Sequence, residues 1–496
     1  MKRIIHIPAT LAVLLLFQQL LFSSCSKNFI DLTDPTRIVS SDYYQDSTSV
    51  AAGVIAAYAT LQGEYGRAGS NNRGIFPFAE VASDNSYSVI DATGIGDFEY
   101  FTTTSANVNV QSMWVATYKS IATCNILLSR APSVKMTPAT LNRYMAEVKF
   151  IRALVYFNAV RIWGDVPLVT REISSITDAY VYGRTSQDSV YQQIIKDLTD
   201  AEPVLPVKYA SANDLGRVTQ GAVKGLLAKV YLTQNDYTNA ANKLNEFITL
   251  YDNSTYSLQT TYANIFSTTN EMNSEIIFAV RYTKGGYGTG SPFTNYFAPN
   301  ASVTGGIGNA GQYNLVRKDL VDTFLANGAS DTRYAAAIGF YTGTGVYYTK
   351  KYTDVPASDG DADCDWIVLR YADVLLMYAE ALNEQSAANV ALAIPYINRV
   401  RARAGITALS ASTQTQASLR LAIEDERKLE LNMEGHRWFD LVRTGRAVTV
   451  MNNHFTKYQI KNGTVVVSIQ PYQTLFPIPL SEINTNPILK QNTGYN

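Results

Sequence analysis

The chain has 496 residues, 46% of them hydrophobic, and a formal net charge of −1 at pH 7. This composition supports a packed core, and the absence of a basic block excludes the electrostatic footprint of a nucleic-acid-binding protein. The 33 tyrosines are the unusual feature. Tyrosine combines a rigid apolar face with a polar tip, which suits surfaces that bind polar ligands, although well-packed exported proteins are also often rich in tyrosine.

Residues 1–24 are predicted to be an export signal. A positively charged start precedes an apolar stretch from Ala9 to Phe22, which is short and polar-interrupted for a membrane span. The following "LFSSC" resembles a bacterial lipobox, in which Cys25 becomes the mature N-terminus and carries acyl chains such as palmitate. The alternative is an ordinary signal peptide with an incidental cysteine. Residues 25–496 are expected to form one domain, because no Pro, Gly or Ser linker divides them.

Amphipathic helical segments recur along the mature chain. Between Val223 and Tyr231, apolar residues follow the i, i+3, i+4, i+7 spacing of one helix face, and residues 371–382 do nearly the same. Further helices are predicted near Ser49–Gln62, Met113–Ser129, Leu141–Ile162, Gln187–Ala201, Tyr237–Leu250, Ala391–Ala404 and Ser418–Met433.

Some of these helices pair. Residues 225–251 indicate a helix, a short polar turn at residues 234–236 and a second helix, which resembles a tetratricopeptide (TPR) unit. Residues 371–405 resemble a second, degenerate unit. One such hairpin cannot bury its apolar face alone, so several must stack. The sequence therefore predicts a mainly α fold, a scaffold of TPR-like hairpins with long irregular loops that carry minor β structure.

Two long loops are the places to look for a site. Residues 63–110 and 282–313 are rich in Gly, Asn and aromatic residues, and long loops in compact proteins are usually functional or mobile. A sugar needs aromatic faces for stacking and polar side chains for its hydroxyl groups. The predicted ligand-binding residues are Tyr65, Arg73, Asp84, Asn85, Tyr87, Tyr282, Tyr287 and Tyr296. Aromatic residues of these loops could equally be anchors of the loop core.

A catalytic apparatus is not evident in the mature chain. Its histidines are His436 and His454, and no G-x-S-x-G motif accompanies them. A glycosidase would need a carboxylate pair, for which Asp84 with Asp91 or Glu99 is the local candidate. No catalytic residue and no cofactor are predicted.

The acidic run "SDGDADCD" at residues 358–365 could bind calcium, although it departs from the EF-hand pattern and such loops are usually simply solvated. The remaining thiols, Cys124 and Cys364, could form one disulfide at most, and their wide separation does not suggest a disulfide framework.

Five blocks of the mature chain follow one another in a recognisable order. They are "EVKFIRALVYFNAVRIWGDVPLV" (147–169), "RYADVLLMYAEALNE" (370–384), "INRVRARAG" (397–405), "IEDERKLELNMEGHRWFDLVRTG" (423–445) and "LFPIPLSEINTNPILKQNTGY" (475–495). These blocks closely resemble the SusD/RagB family of nutrient-binding lipoproteins of Bacteroidetes. The resemblance spans essentially the whole mature chain and includes the lipobox followed by "NFIDL".

The resemblance implies a TPR-containing α-helical protein, anchored by lipid to the outer membrane and exposed outside the cell. It also implies a partner, a SusC-like TonB-dependent β-barrel transporter that the lipoprotein covers. Family members mostly capture oligosaccharides, and their sites use loop residues, including the region around "ASDNSYS" (82–88).

The spacing of charges in the block 423–445 has its own interpretation. It indicates stabilising ion pairs along a helix, such as Glu426 and Glu430 flanking Arg427.

The predicted function is non-enzymatic binding of a glycan at the cell surface, followed by delivery to the transporter. Tyr-rich loops with few charges favour a neutral glycan. The alternatives are the same architecture binding a peptide, a surface glycoside hydrolase, and a scaffold that uses its helical surfaces for adhesion.

Overall fold

A computed structural model describes residues 44–67, 73–89 and 93–495. The predicted signal peptide and Cys25 therefore lie outside the described residues. The helices are α1 (Ser47–Tyr65), α2 (Gly96–Tyr100), α3 (Val108–Arg130), α4 (Pro138–Trp163), α5 (Ile176–Ala179), α6 (Gln187–Ala201), α7 (Gln220–Thr233), α8 (Tyr237–Tyr251), α9 (Phe293–Phe297), α10 (Lys318–Ala326), α11 (Thr332–Ala337), α12 (Tyr371–Gln385), α13 (Val390–Ala404), α14 (Gln416–Glu430), α15 (Arg437–Arg443), α16 (Ala447–Tyr458) and α17 (Leu480–Thr485).

The strands are short and belong to three small sheets. They are β1 (Ser86–Tyr87), β2 (Ile276–Val280), β3 (Leu315–Val316), β4 (Ile338–Tyr341), β5 (Val346–Thr349), β6 (Trp366–Arg370), β7 (Lys461–Asn462) and β8 (Val465–Val466). One sheet has the order β1-β3-β5-β4, and the pairs β2-β6 and β7-β8 form the other two. Within the described residues, the mainly α prediction is confirmed.

Helix α7 and helix α8 form the hairpin predicted from residues 225–251. The turn is tight because Asn235 adopts a left-handed backbone with φ 59°. The Asp236 carboxylate then accepts a hydrogen bond from the Asn239 N–H at 3.1 Å and so caps the start of α8. Gly225 lets α7 approach β6 closely, because a Cβ there would lie 2.4 Å from the Leu369 side chain.

The helical pairs stack as predicted. Helix α4 packs on α6, α6 on α7, and α12 on both α8 and α13. Helix α13 ends at Gly405, whose φ of 79° terminates the helix in the left-handed region. The core between the layers contains large buried side chains, among them Trp163, Trp366 and Trp438.

The charged block near the C-terminus forms ion pairs, but not those predicted along one helix. Glu426 and Glu430 do not bond Arg427; both pair with Arg333 of α11, and Arg427 pairs with Asp373 of α12. These side chains are buried. The ion pairs therefore join separate elements instead of decorating one exposed helix face.

The two described cysteines, Cys124 and Cys364, are free and buried, so the disulfide considered from the sequence is not formed. Burial raises the pKa of both thiols to about 12, which keeps them protonated and unreactive. No helix in the described ranges is long and apolar enough to cross a membrane.

Candidate functional site

The two loops predicted to carry the site meet in the structure. The Tyr282 hydroxyl donates a hydrogen bond of 2.7 Å to the carbonyl of Gly66, the residue that follows α1. Within the second loop, the Tyr313 N–H donates to the Tyr296 carbonyl at 2.9 Å. Gly66, Arg67 and Arg73 of the first loop therefore lie together with residues 287–313 of the second.

The centre of this region is a cluster of Arg73, Tyr296 and Tyr313, here called the tyrosine–arginine cluster. The Arg73 guanidinium carbon lies 4.6 Å from the centroid of each tyrosine ring. The two rings are 5.6 Å apart at an interplanar angle of 70°. This geometry allows cation–π attraction on both sides of the guanidinium. Arg73 and Tyr313 are partly exposed, and Tyr296 is 9% exposed.

The guanidinium of Arg73 has spare hydrogen-bonding capacity. No carboxylate of the described residues forms an ion pair with it, its Nη2 makes a long contact of 3.5 Å with the Tyr313 hydroxyl, and it also hydrogen-bonds the Tyr296 side chain. Its buried Nε–H has no protein acceptor. Burial raises the pKa of Tyr296, so this phenol stays protonated at neutral pH although nearby Arg73 favours its ionised form. The cluster thus offers aromatic faces and unused donors together.

Tyr287 extends the region at the tip of a small hairpin. The hairpin is closed by an antiparallel bridge between Thr283 and Thr289, and the Tyr287 side chain is 77% exposed. The Arg67 side chain donates to the Gly288 carbonyl at 3.4 Å, and the Tyr296 hydroxyl donates to the Arg67 carbonyl at 3.4 Å. Tyr287 is therefore the exposed tyrosine beside the cluster.

The acidic run 358–365 holds this hairpin in place. The Asp361 carboxylate accepts from the N–H groups of Gly285 and Gly286 at 3.0 and 2.9 Å. Asp363 accepts from the N–H of residue 284 and Asp365 from that of residue 282, each at 2.8 Å. No group of three His, Cys, Asp or Glu side chains suited to a metal occurs in the part of the chain that the structure describes. The run considered for calcium thus positions the loop of Tyr287.

Two predicted stacking residues are buried in this structure. Tyr65 is 3% exposed, its hydroxyl accepts from Asn158 at 3.2 Å, and its ring packs against Trp366. Tyr282 is 1% exposed and uses its hydroxyl to hold Gly66. Neither ring offers a face to a ligand, because both fill the core under the loops.

The predicted hydrogen-bond partners Asp84 and Asn85 are also buried. Asp84 accepts from Arg437 at 2.7 and 2.9 Å and from Lys428 at 2.8 Å. Burial raises the pKa of Asp84, but these two cations outweigh it and hold the pKa well below its usual value. Asn85 is fully buried, and its backbone carbonyl accepts a hydrogen bond of 2.8 Å from the backbone N–H of Arg317. Both residues hold the loop to the scaffold instead of facing solvent.

Tyr87 lies on β1 at the edge of the same region. Its ring is half-buried, and the Arg317 guanidinium carbon sits 4.6 Å from the ring centroid. Arg317 pairs in turn with Glu99. Val89, two residues after Tyr87, is 45% exposed. Its backbone N–H donates to the carbonyl of residue 312, which precedes the cluster residue Tyr313.

The carboxylates considered for a hydrolase are used in other contacts. Asp84 is ion-paired as described, Glu99 pairs with Arg317, and Asp91 lies outside the described residues. His436 contacts Lys229 at 2.9 Å, and burial lowers its pKa to about 3. His454 contacts Asp319 at 2.7 Å beneath α10, on the scaffold.

Tyr313 and Arg67, which lie in this region, were not among the residues predicted from the sequence. Tyr313 is the last residue of the predicted loop 282–313, and Arg67 is the second residue after the end of α1. Loop composition points to their region. Only the folded backbone, which pairs residues 295–298 with 311–313, shows that they lie beside Arg73 and Tyr296.

The helical hairpins define a protein built on a TPR-like scaffold, and an aromatic cluster lies on its loops. Comparison with known proteins gives the family. A sequence profile described as "SusD family" matches residues 300–495, and one described as "Starch-binding associating with outer membrane" matches residues 29–232. The chain is 30% identical to the SusD-like protein P25 of Formosa agariphila over 96% of this chain and 98% of that protein. The chain belongs to the SusD family.

Further relatives agree. The starch-binding protein SusD of Bacteroides thetaiotaomicron is 28% identical over 73% of this chain and 74% of its own length. A solved structure of a laminarin-binding SusD-like protein superposes with a TM-score of 0.77 and 29% identity, covering 91% of this chain and 100% of that one. These two relatives are named as carbohydrate-binding proteins and not as enzymes, and this chain is assigned no catalytic activity.

Proposed function

We propose that this protein binds a glycan at the cell surface without hydrolysing it, and that the ligand contacts the tyrosine–arginine cluster together with Tyr287 and Tyr87. The observation that carries the proposal is the Arg73 guanidinium, which lies 4.6 Å from two tyrosine rings and has no carboxylate partner among the described residues. Such an arrangement is ready to receive a polar ligand with flat apolar faces.

The chemistry of a sugar fits this surface. One face of a pyranose ring presents C–H groups that can stack on Tyr313 or Tyr287, and its hydroxyl groups can accept from Arg73. The hairpin that carries Tyr287 is pre-formed, because Asp361 and the neighbouring carboxylates fix it. A pre-formed site loses little conformational entropy when a ligand binds.

The relatives support the choice of ligand class. Two of them carry names that describe starch binding and laminarin binding, and both are glucose polymers without charge. A neutral oligosaccharide is accordingly the proposed ligand. A peptide remains the alternative for the same architecture.

The test is calorimetric titration of single variants against a panel of neutral oligosaccharides. Tyr313→Ala and Tyr287→Ala are each expected to weaken binding about tenfold, since an aromatic anchor commonly contributes ~1–2 kcal/mol. Tyr472→Ala is the matched control, because Tyr472 is 39% exposed and lies on a different part of the chain. Melting temperatures of the variants should stay close to that of the wild type.

Three results would count against the proposal. Unchanged affinity in both cluster variants would place the site elsewhere. Binding of peptides with no binding of any oligosaccharide would favour the peptide alternative. Shortening of a bound oligosaccharide, followed by chromatography, would favour a hydrolase.

We also propose that the protein is anchored to the outer membrane through lipidated Cys25 and delivers its ligand to a SusC-like TonB-dependent β-barrel. The lipobox-like "LFSSC" and the profile described as "associating with outer membrane" support this. A tagged full-length chain solubilised from its native membrane should co-purify a large β-barrel protein and should begin with an acylated Cys25 by mass spectrometry. A Cys25→Ser chain that stays in the membrane fraction as firmly as the wild type would contradict the anchor.

A further inference from the structure

A large apolar groove lies on the scaffold, lined by none of the residues of the proposed glycan site. It has a volume of about 510 Å³ and runs along one face of α3, opposite residues 167–182 and the segment from α17 to Leu489. Its lining includes Trp114, Tyr118, Ala122, Ile126 and Ile173. Val115 and Tyr180 on its walls are 53% and 41% exposed. Exposed apolar surface of this extent marks a site that another segment or molecule covers.

The described chain begins at one end of this groove. A Cβ on Gly53 of α1 would lie 2.6 Å from the Tyr44 ring and 2.7 Å from the Leu127 side chain, so Tyr44 packs between α1 and α3. Leu127 directly follows the groove residue Ile126. Arg130, one turn further along α3, pairs with Glu172, which lies between the groove residues at positions 171 and 173. Tyr44, the first described residue, therefore lies near the Ile126 end of the groove.

The sequence before Tyr44 has the length and composition to fill the groove. Along α3 the groove extends from residue 114 to residue 126, about 18 Å at 1.5 Å per residue. An extended chain covers ~3.3 Å per residue, so the stretch from Tyr44 back to residue 38 is long enough to reach any point along the groove. The segment carries two apolar groups, which are Phe29, Ile30 and Leu32, and then Ile38 and Val39.

We propose that residues 29–39 of this chain occupy the groove, with Ile38 and Val39 near Ile126 and with Phe29 to Leu32 near Trp114. The groove lining is mostly apolar, which suits these side chains better than the hydroxyl groups of a sugar. The docking would fix the point at which the N-terminal anchor leaves the scaffold, at the Trp114 end. It would thereby set how the glycan site is held relative to the membrane.

Trypsin cleavage at Arg37 tests the docking, since this bond lies inside the proposed segment. The substrate is the mature chain from residue 26, without lipid, and the reference is the free peptide 26–43. Cleavage at Arg37 is expected to be at least about tenfold slower in the protein than in the peptide, because a docked segment must open before it is cut. Equal rates would overturn the proposal.

Ala122→Glu places a charge in the groove at an exposed helix position and should raise the Arg37 cleavage rate about tenfold, equivalent to ~1.4 kcal/mol. Leu421→Glu is the matched control, an exposed apolar residue of α14 outside the groove that should change nothing. Melting curves check that both variants fold. Tyr313→Ala should also leave the rate unchanged, which separates this proposal from that of the glycan site.

A disulfide test gives the register independently of proteolysis. Val39→Cys with Ile126→Cys should cross-link rapidly under mild oxidation, whereas Val39→Cys with Leu421→Cys should not. The native thiols Cys124 and Cys364 are buried and do not compete. Equal cross-linking of both pairs would overturn the proposal. A hydrogen-exchange result could also overturn it. In that result an oligosaccharide protects residues 167–182 from exchange, and removal of residues 26–43 does not reduce their protection.

Discussion

Residue type does not separate ligand contacts from core contacts in this protein. Tyr65 and Asp84 have the chemistry of a sugar site, and both are used inside the fold, by Asn158 and by Arg437 respectively. Tyr313 and Tyr287 have the same chemistry and remain accessible. The distinction depends on whether each side chain faces the core or the solvent. That orientation is set by backbone contacts between segments far apart in the sequence.

Glu64 is a buried ionisable residue with a measurable consequence. It lies on α1, fully buried, facing Thr117 of α3 and Asn158 of α4. Burial raises the pKa of Glu64 to about 8, and the two facing side chains, which favour the ionised form, offset burial only in part. Glu64 is therefore protonated in the folded protein at neutral pH.

Because the folded pKa of Glu64 lies above its ordinary value of 4.5, the stability tied to this proton is fully present below pH 4.5 and is lost as pH rises through 8. Between these values the unfolded chain has released the proton while the folded one retains it. The contribution of Glu64 to the free energy of unfolding should then fall by about 1.4 kcal/mol per pH unit. Glu64→Gln lacks this dependence.

Chemical denaturation at pH 5, 6, 7, 8 and 9 measures the effect as the difference between Glu64→Gln and the wild type. Using the difference cancels the titration of all other groups. The variant should gain stability relative to the wild type as pH rises to 8, and the difference should level off above that value. A difference that is constant across the series would show that Glu64 is ionised in the folded protein.

At the scale of elements, helices could be predicted well and strands could not. Helix α6 begins and ends at the predicted residues, and α8 ends one residue beyond its predicted end. Helical periodicity is a local signal, so it can be read from a short window. The sheet β1-β3-β5-β4 joins Ser86 to Val316 by strands of two residues. Pairing over such a separation leaves no local pattern in the sequence.

The candidate site shows the same division. Its two loops could be predicted from their length and composition, since long Gly-rich and aromatic-rich segments are rare inside a helical scaffold. The residues that hold these loops in place could not be predicted from the sequence. The carboxylates of residues 361–365 accept from backbone N–H groups of the hairpin 282–286, and those groups have no signature in the sequence.

At the scale of the whole molecule, a buried network of charges ties the C-terminal elements together. Glu430 of α14 accepts from Arg370 of β6 at 2.6 Å, from Arg333 of α11 at 3.1 Å and from Arg403 of α13. Arg370 also pairs with Glu434 and Glu275. Burial raises the pKa of Glu430, but the three arginines outweigh it and hold the pKa far below its usual value. The carboxylate of Glu430 is ionised, and its ion pairs join α14 to β6, α11 and α13.

Glu430→Gln keeps the shape of the side chain and removes its charge. The positive charge of the three buried arginines is then no longer fully neutralised by carboxylates. Uncompensated buried charge lowers the stability of the folded state. We expect the free energy of unfolding to fall by about 3–5 kcal/mol, measured by chemical denaturation. Asp322→Asn is the control, because Asp322 pairs with the exposed Lys318 one turn away on α10, and its loss should cost less than about 0.5 kcal/mol.

Salt and ligand binding distinguish a buried network from a general loss of structure. High salt should weaken the small effect of Asp322→Asn and leave that of Glu430→Gln nearly unchanged, because buried pairs are poorly screened. Below its melting temperature, the Glu430→Gln protein should still bind the oligosaccharide with wild-type affinity, since the tyrosine–arginine cluster shares no residue with the network. A loss of less than 1 kcal/mol in Glu430→Gln would mean that water or neighbouring carboxylates compensate the arginines, and that the network does not hold these elements together.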